Sequence, residues 1–323
     1  MIKVSVIVPI YNVGNYIKKT VCSLFEQTIS DVEYIFVDDC STDNSVAELQ
    51  SVIDEYPNRK ANALIIKQEY NRGPSHTRNL GLLKAKGQYV VFCDSDDLID
   101  KEAYEILYKK AISHNANVVA CGIKVIDSNK RMQQDLLFGV SELPRKSLQD
   151  FSKVEGGIYS SMCNKMFKRE FLLNNNILFD EDTTMWEDLL TTIKARFFSE
   201  KVYIVDKPLY YYCLRSGSII HSNIFQKVRS QVRSVNCIES FFLEQRAIRE
   251  YSLLISYLKF LAKSPLLGVD NKGWCSIFPE ARKDIILLRN YLGWRVTMKY
   301  LVLSYGGTAG CALLDAMVKL KNK

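Results

Sequence analysis

Several features that would classify this chain at a glance are missing. Its nine cysteines run from Cys22 to Cys311 without a CxxC pair and are odd in number, which argues against a disulfide framework and fits a reducing compartment. No GxGxxG follows the first apolar strand, so an ordinary dinucleotide oxidoreductase loses most of its support. Lys and Arg form no block and no recognition motif accompanies them, which speaks against nucleic acid as a partner. The start, Lys3-Val4-Ser5-Val6-Ile7-Val8-Pro9, lacks the basic stretch, apolar run and small-residue cleavage site of a signal peptide, so a cytoplasmic protein is expected. Internal repeats and low-complexity linkers are also absent.

What is present is an ordinary globular composition, 47% hydrophobic and 24% charged, in 323 residues, enough for one large or two modest domains. The charge is uneven: residues 1–200 carry a net −4 and residues 201–323 a net +11. In the basic part, Lys and Arg alternate with Leu, Ile, Tyr, Phe and Trp, a pattern that suits an anionic membrane face. A solvated helix face explains it as well. Residues 297–318 are apolar and small, but Lys299, Asp315, Gly306-Gly307 and Gly310 interrupt them. A pair of helices, packed on the body or lying at a lipid interface, is expected there rather than a span.

Up to Cys121, short apolar strands alternate with amphipathic helices: strands at 4–10, 33–37, 63–67, 89–93 and 117–121, helices at 16–27, 45–55, 75–85 and 101–113. Such alternation predicts a parallel sheet wrapped by helices, with ligands beyond the carboxyl ends of the strands. Residues 122–200 are irregular apart from a helix at 187–198. A strand pair is expected at 202–205 and 209–213, and helices at 224–243, 252–261 and 281–292.

The strand exits are unusually polar. The first, Val8-Pro9-Ile10-Tyr11-Asn12, offers a flat ring to a nucleobase, although a turn stopped by proline explains it too. The second, Asp38-Asp39-Cys40-Ser41-Thr42-Asp43, holds good helix caps preceded by two further acids; Asp39 can accept the N–H of a uracil ring, and Asp38 can fix the loop. At the third, Asn71-Arg72-Gly73-Pro74 leads into a helix with Arg78 and Asn79. An Arg here neutralises a pyrophosphate or answers a strand-end acid. The fourth strand ends in Asp94-Ser95-Asp96-Asp97. Carboxylates two residues apart repel, and a hard cation such as Mg²⁺ or Mn²⁺ shared with a ligand phosphate relieves them. An acidic turn capping the next helix accounts for the same residues.

In order and spacing these segments resemble glycosyltransferase family 2, the large group with the GT-A fold that uses nucleotide-sugar donors. The residues carrying the resemblance are Val8-Pro9-x-Tyr11-Asn12, Asp38-Asp39-x-Ser41-Thr42-Asp43, Asn71-Arg72-Gly73, Arg78-Asn79-x-Gly81 and Asp94-Ser95-Asp96-Asp97, all in the first hundred. The resemblance implies an α/β fold with a mostly parallel sheet flanked by helices and a C-terminal helical extension. The expected division is a catalytic domain over 1–220, with a nucleotide-sugar half at 1–100 and an acceptor half at 101–220, and a helical region over 221–323.

The resemblance also implies site residues. Pro9, Tyr11, Asn12 and Asp39 would line the nucleoside pocket, and Arg72 and Arg78 would approach the diphosphate. Asp94 and Ser95 would lie by the ribose. Asp96, with Asp94, would hold Mn²⁺ or Mg²⁺, and Asp97 would be a supporting acid or a helix cap. In Met185-Trp186-Glu187-Asp188-Leu189, Asp188 takes the role of catalytic base and Glu187 orients it or the acceptor; charge compensation at a helix start is the plainer explanation. Asn164-Lys165-Met166-Phe167-Lys168-Arg169 resembles the acceptor-side stretch, and Arg215 with Ser218, joined by His221, the lid over the diphosphate; a packed strand with Arg215 as surface charge is equally consistent with those residues.

The implied activity is inverting transfer of a sugar, UDP-linked, to a glycan or polyprenyl-diphosphate-linked acceptor in bacterial surface-polysaccharide synthesis. The implied location is the inner face of the cytoplasmic membrane. Two rivals remain. A sugar-nucleotide nucleotidyltransferase would want a glycine-rich basic loop where Pro9-Ile10-Tyr11-Asn12 stands, and a non-catalytic nucleotide-sugar-binding module would keep the pocket without turnover.

Overall fold

The computed structural model describes residues 1–127, 131–149, 157–214 and 223–321. The chain divides into two compact units, Met1–Leu148 with Gly156–Ser218, and Gln149–Glu155 with Ile219–Lys323.

The first unit is built on ten strands: β1 (Val4–Ile10), β2 (Val32–Asp38), β3 (Ala63–Lys67), β4 (Tyr89–Phe92), β5 (Leu98–Ile99), β6 (Val118–Ile126), β7 (Met132–Leu136), β8 (Glu142–Pro144), β9 (Lys165–Lys168) and β10 (Lys201–Cys213). They lie in the order β3-β2-β1-β4-β9-β6-β10-β5, with β7 on β6 and β8 on β10. β3, β2, β1 and β4 are parallel, as the alternation predicts. Beyond β4 the sheet is mixed, because β9 runs antiparallel to both β4 and β6 while β10 is parallel to β6. In β1 only Pro9 is not fully buried, the mark of a central strand covered on both faces.

The strand order reverses between β1 and β4, so the crevice for ligands opens at their carboxyl ends. The Gly73–Lys84 helix packs directly over β1, and a methyl group at Gly81 would collide with Cγ2 of Ile7. Gly81 is thus required for close approach of helix to sheet. The expected strand pair at 202–213 is a single strand, β10, whose register against β6 shifts on either side of Pro208. Proline has no N–H for the ladder, so the strand bulges there without ending.

The second unit is helical, with Ile224–Glu244 and Ser252–Lys263 as its longest buried pieces. Phe242 stacks on Tyr251 at 4.4 Å, and Phe260, Trp274 and Tyr300 form a second aromatic cluster. The Lys263 ammonium lies 4.0 Å from the Trp274 ring centre and donates to the Ile277 carbonyl at 2.8 Å; burial lowers its pKa to about 8. Residues 281–292, expected as one helix, form a 3-10 turn at Pro279–Asp284 and a short helix at Arg289–Leu292. In place of the expected helix pair, Trp294–Lys321 is one continuous helix. Among the described residues, no helix is long and apolar enough to cross a membrane.

Candidate active site

The first three strand exits are laced together by hydrogen bonds between side chains and backbone. Asn12, in the left-handed region at φ 51°, accepts from the Thr42 N–H at 2.9 Å, while its own N–H donates to Ser41 Oγ at 3.1 Å. The Asp43 carboxylate takes the Gly14 N–H at 3.0 Å and also the Ser45 hydroxyl. Asp38 Oδ1 accepts from the Ser41 N–H at 3.2 Å, so it does fix the loop.

Asp39 is buried. Its Oδ1 accepts from the Arg72 N–H at 2.7 Å and Gln68 Nε2 at 2.9 Å, and its Oδ2 from the Gly73 N–H at 2.8 Å. A carboxylate on these amides sits where the Gly73–Lys84 helix begins, the favourable end of its dipole. Tyr11 remains 49% exposed above this framework, and Pro9 is half-buried below it. The Arg72 side chain turns to Glu181 at 3.6 Å, which also meets His76 Nδ1 at 2.9 Å.

At the fourth exit the residues part company. Asp94 and Asp96 are half-buried, Ser95 is buried, and Asp97 is 1% exposed. Asp97 Oδ1 takes the Cys213 N–H at 2.8 Å and its Oδ2 the Tyr210 hydroxyl, so it ties β10 to the exit loop and caps no helix. Burial pushes its pKa well above the usual carboxylate range, and the charges of Asp94 and Asp96 push it further.

Arg78 brings the distant acids together. Its Nη2 donates to Asp94 Oδ1 at 2.9 Å, its Nη1 to Glu187 Oε1 at 3.3 Å, and Asp188 Oδ1 stands 3.7 Å from Nη1. The guanidinium is buried and lies over the Phe179 ring at 5.3 Å. Burial works against its charge, but Asp188, Asp94 and Glu187 outweigh it and hold the pKa well above normal. Arg78 thus answers a strand-end acid, one of two compatible roles that the sequence allows it.

Asp188 sits in the first turn of the Glu187–Phe198 helix, and Trp186 before it is left-handed at φ 66°. That conformation is costly for a bulky residue, of order 1–3 kcal/mol, and such outliers gather at functional sites. Asp188 Oδ2 accepts from the Met162 N–H at 3.1 Å, and its Oδ1 has no hydrogen-bond partner among the described residues. Burial pushes its pKa up to about 6; Arg78 pulls it down, and Glu187 and Asp94 push it up again. A carboxylate tuned close to neutrality can take a proton from a hydroxyl and return it to water.

The support beneath Asp188 comes from Asn164 and Lys165, in the stretch that resembles the acceptor side of the family. Lys165 is 3% exposed and donates to the Ile158 carbonyl at 3.1 Å, Asn164 Oδ1 at 2.9 Å and the Ser161 carbonyl. Asn164 Nδ2 donates to the carbonyls of Cys121 and Ile158 at 2.7 and 3.0 Å. The turn they hold presents the Met162 N–H to Asp188. Burial pulls Lys165 down to about 7, against the attraction of Asp188. Arg215, Ser218 and His221, the expected lid, lie outside the described residues.

The residues fit a divalent cation of the hard kind. No group of three or more His, Cys, Asp or Glu among the described residues is arranged to hold a metal. Mg²⁺ and Mn²⁺ at nucleotide sites, however, take one or two carboxylates and complete their shell with phosphate and water. Asp94 and Asp96, two residues apart and half-buried at the exit of β4, offer that.

Comparison with known proteins identifies the family. The profile of Glycosyl transferase family 2 matches residues 5–174. Glycosyltransferase GlyA of Streptococcus pneumoniae is 32% identical over 67% of this chain and 31% of its own length. The poly(ribitol-phosphate) beta-N-acetylglucosaminyltransferase TarS of Staphylococcus aureus is 33% identical over 67% of the chain and 36% of its own length, so the chain spans about a third of either protein. The crystal structure of TarS residues 1–349 with UDP-GlcNAc superposes with a TM-score of 0.62 at 22% identity, covering 94% of this chain and 90% of that one, a likeness of fold. The mannosyltransferase PcManGT of Pyrobaculum calidifontis, in complex with GDP-Man and Mn²⁺, does so with 0.55 at 19% identity over 94% and 85%. With more than half of its residues under that profile, and two thirds aligned to GlyA, the chain belongs to glycosyl transferase family 2.

Proposed function

We propose that the chain is an inverting, metal-dependent glycosyltransferase. It would move one sugar from a UDP-linked donor to a hydroxyl of a glycan, carried on a polyprenyl diphosphate at the inner face of a bacterial membrane, in surface-polysaccharide synthesis. The observation that carries the reading is the single guanidinium of Arg78, which joins Asp94 at the nucleotide side to Glu187 and Asp188 at the other. Related proteins described as poly(ribitol-phosphate) glycosyltransferases, and a TarS structure with UDP-GlcNAc, support a UDP-sugar donor and a role in surface-polymer synthesis.

Tyr11 presents its ring to the uracil, with Pro9 and Asn12 shaping the floor. Asp39, whose Oδ2 has one backbone partner, keeps a lone pair for the base N–H. Asp94 and Ser95 border the ribose, and Arg72 stands at the pocket's rim. Asp96 and Asp94 would hold the cation, whose chemistry is to offset the negative charge gathering on the departing diphosphate. Asp188 accepts the proton of the acceptor hydroxyl as its oxygen bonds to the anomeric carbon. The bond from that carbon to the diphosphate oxygen breaks, and its electron pair leaves with UDP. Glu187 orients Asp188 or the acceptor. One displacement and one base give inversion.

The test is a panel of nucleotide-sugars scored by thermal stabilisation with Mn²⁺, repeated with Asp96→Ala, followed by transfer to lipid-linked acceptor with product stereochemistry read by NMR. Loss of stabilisation by a UDP-sugar in the variant is expected. Equal stabilisation of both proteins would remove the metal assignment, and a retained anomeric configuration would remove the mechanism.

A further inference from the structure

Residues 282–305 of the second unit form a helical hairpin that turns at Gly293, φ 76°. Its two arms lie side by side, since the Tyr305 hydroxyl donates to the Arg282 carbonyl at 3.4 Å and the Arg282 guanidinium lies 5.9 Å from the Tyr305 ring centre. Each arm keeps an apolar inner face, with Ile285 and Leu288 on one and Tyr300 and Leu303 on the other. The outer face is apolar as well. Ile286, Leu287, Tyr291, Trp294, Met298 and Tyr305 are all exposed, Trp294 by 71% and Tyr305 by 63%. Trp294, Met298 and Tyr305 follow at helical spacing along one side. An apolar surface of this extent marks a contact.

The exposed charges on the hairpin itself are of one sign, and the exposed Glu280 just before it is paired with Lys259 at 2.7 Å. Arg282, Lys283, Arg289, Arg295 and Lys299 are exposed. The hairpin's one acid, Asp284, is half-buried and accepts from the Ser256 hydroxyl at 2.6 Å. Exposed Trp and Tyr between Lys and Arg, without a competing acid, match the headgroup region of an anionic bilayer, where aromatic rings settle and each basic residue adds attraction. We infer that the Arg282–Tyr305 hairpin is the element by which the second unit docks on an anionic lipid surface, its Trp294–Met298–Tyr305 side entering the interface.

The inference gives a surface to the membrane placement proposed above but needs no catalysis, so the two fail separately. The full chain is sedimented with vesicles of phosphatidylcholine, with and without phosphatidylglycerol, at rising salt. Binding only to the anionic vesicles, weakened by salt, is expected. The variants Arg295→Glu/Lys299→Glu and Trp294→Glu/Met298→Glu should each bind at least about tenfold more weakly while keeping the wild-type circular dichroism and its transfer rate to a water-soluble acceptor. The inference is overturned by absence of binding, by unchanged binding in both variants, or by a wild-type dimer that Trp294→Glu/Met298→Glu separates, since the face would then belong to a second copy. Vesicle binding without sugar transfer would leave this inference standing and remove the catalytic one.

Discussion

The loops at the first three strand exits and the cluster around Asp188 are both polar, yet they are satisfied very differently. On the nucleotide side Asp38, Asp39, Asp43 and Asn12 spend their oxygens on backbone N–H groups and hydroxyls. On the other side Asp188 Oδ1 and Arg78 Nε are buried with no hydrogen-bond partner among the described residues, and three carboxylates share one guanidinium. A saturated network holds a shape, whereas a group left wanting a partner has its protonation set by its surroundings. The first region reads as a mould and the second as the place where a proton moves.

The contrast breaks most sharply at the base. Asp188→Asn should lower kcat by about 10²–10⁴-fold, measured as UDP release with acceptor, and leave stabilisation by the donor near that of wild type. Next is Arg78→Ala, which leaves Asp94, Glu187 and Asp188 facing one another. Stability should fall by about 3–5 kcal/mol in urea unfolding, and Arg78→Lys should restore only part, lacking the planar fork. Asp39→Ala, on the moulded side, should cost about 1–3 kcal/mol by orphaning the Arg72 and Gly73 amides, and should weaken donor binding more than kcat.

The smallest effect sharpens the comparison. Since Asp188 must be ionised and its pKa is raised to about 6, kcat should fall as pH drops below that value. Lys165→Met removes a positive neighbour that favours the carboxylate, so the inflection should move upward, and Lys165→Arg should move it back. A profile that ignores Lys165 would reduce that residue to packing.

How much of this was legible beforehand follows from where the information lies. β1, β2, β3 and β4 are runs of Val, Ile, Tyr and Phe bounded by polar exits, and the strands expected from them match within a residue or so. β9 has only four residues with Lys165 and Lys168 at its ends, and β7 is an exposed Met-Gln-Gln-Asp-Leu edge, so neither carries an apolar period. The helix at 294–321 runs through Gly306, Gly307 and Gly310, because a glycine costs only about 1 kcal/mol in a helix and Tyr300 and Leu303 are anchored by burial. In the site, the acids were visible as a pattern. The meeting of Arg78 with Glu187 and Asp188, the burial of Lys165 and the left-handed Trp186 depend on packing between segments far apart in the chain, which spacing does not encode.

Gly81 touches no part of the chemistry, yet it governs the gap in which the chemistry would happen. Because position 81 carries no side chain, the helix settles onto β1 and delivers Arg78, one turn earlier, to the depth at which it reaches acids from both halves. In the proposed reading, the span between donor and base would thus be gauged by one missing carbon atom.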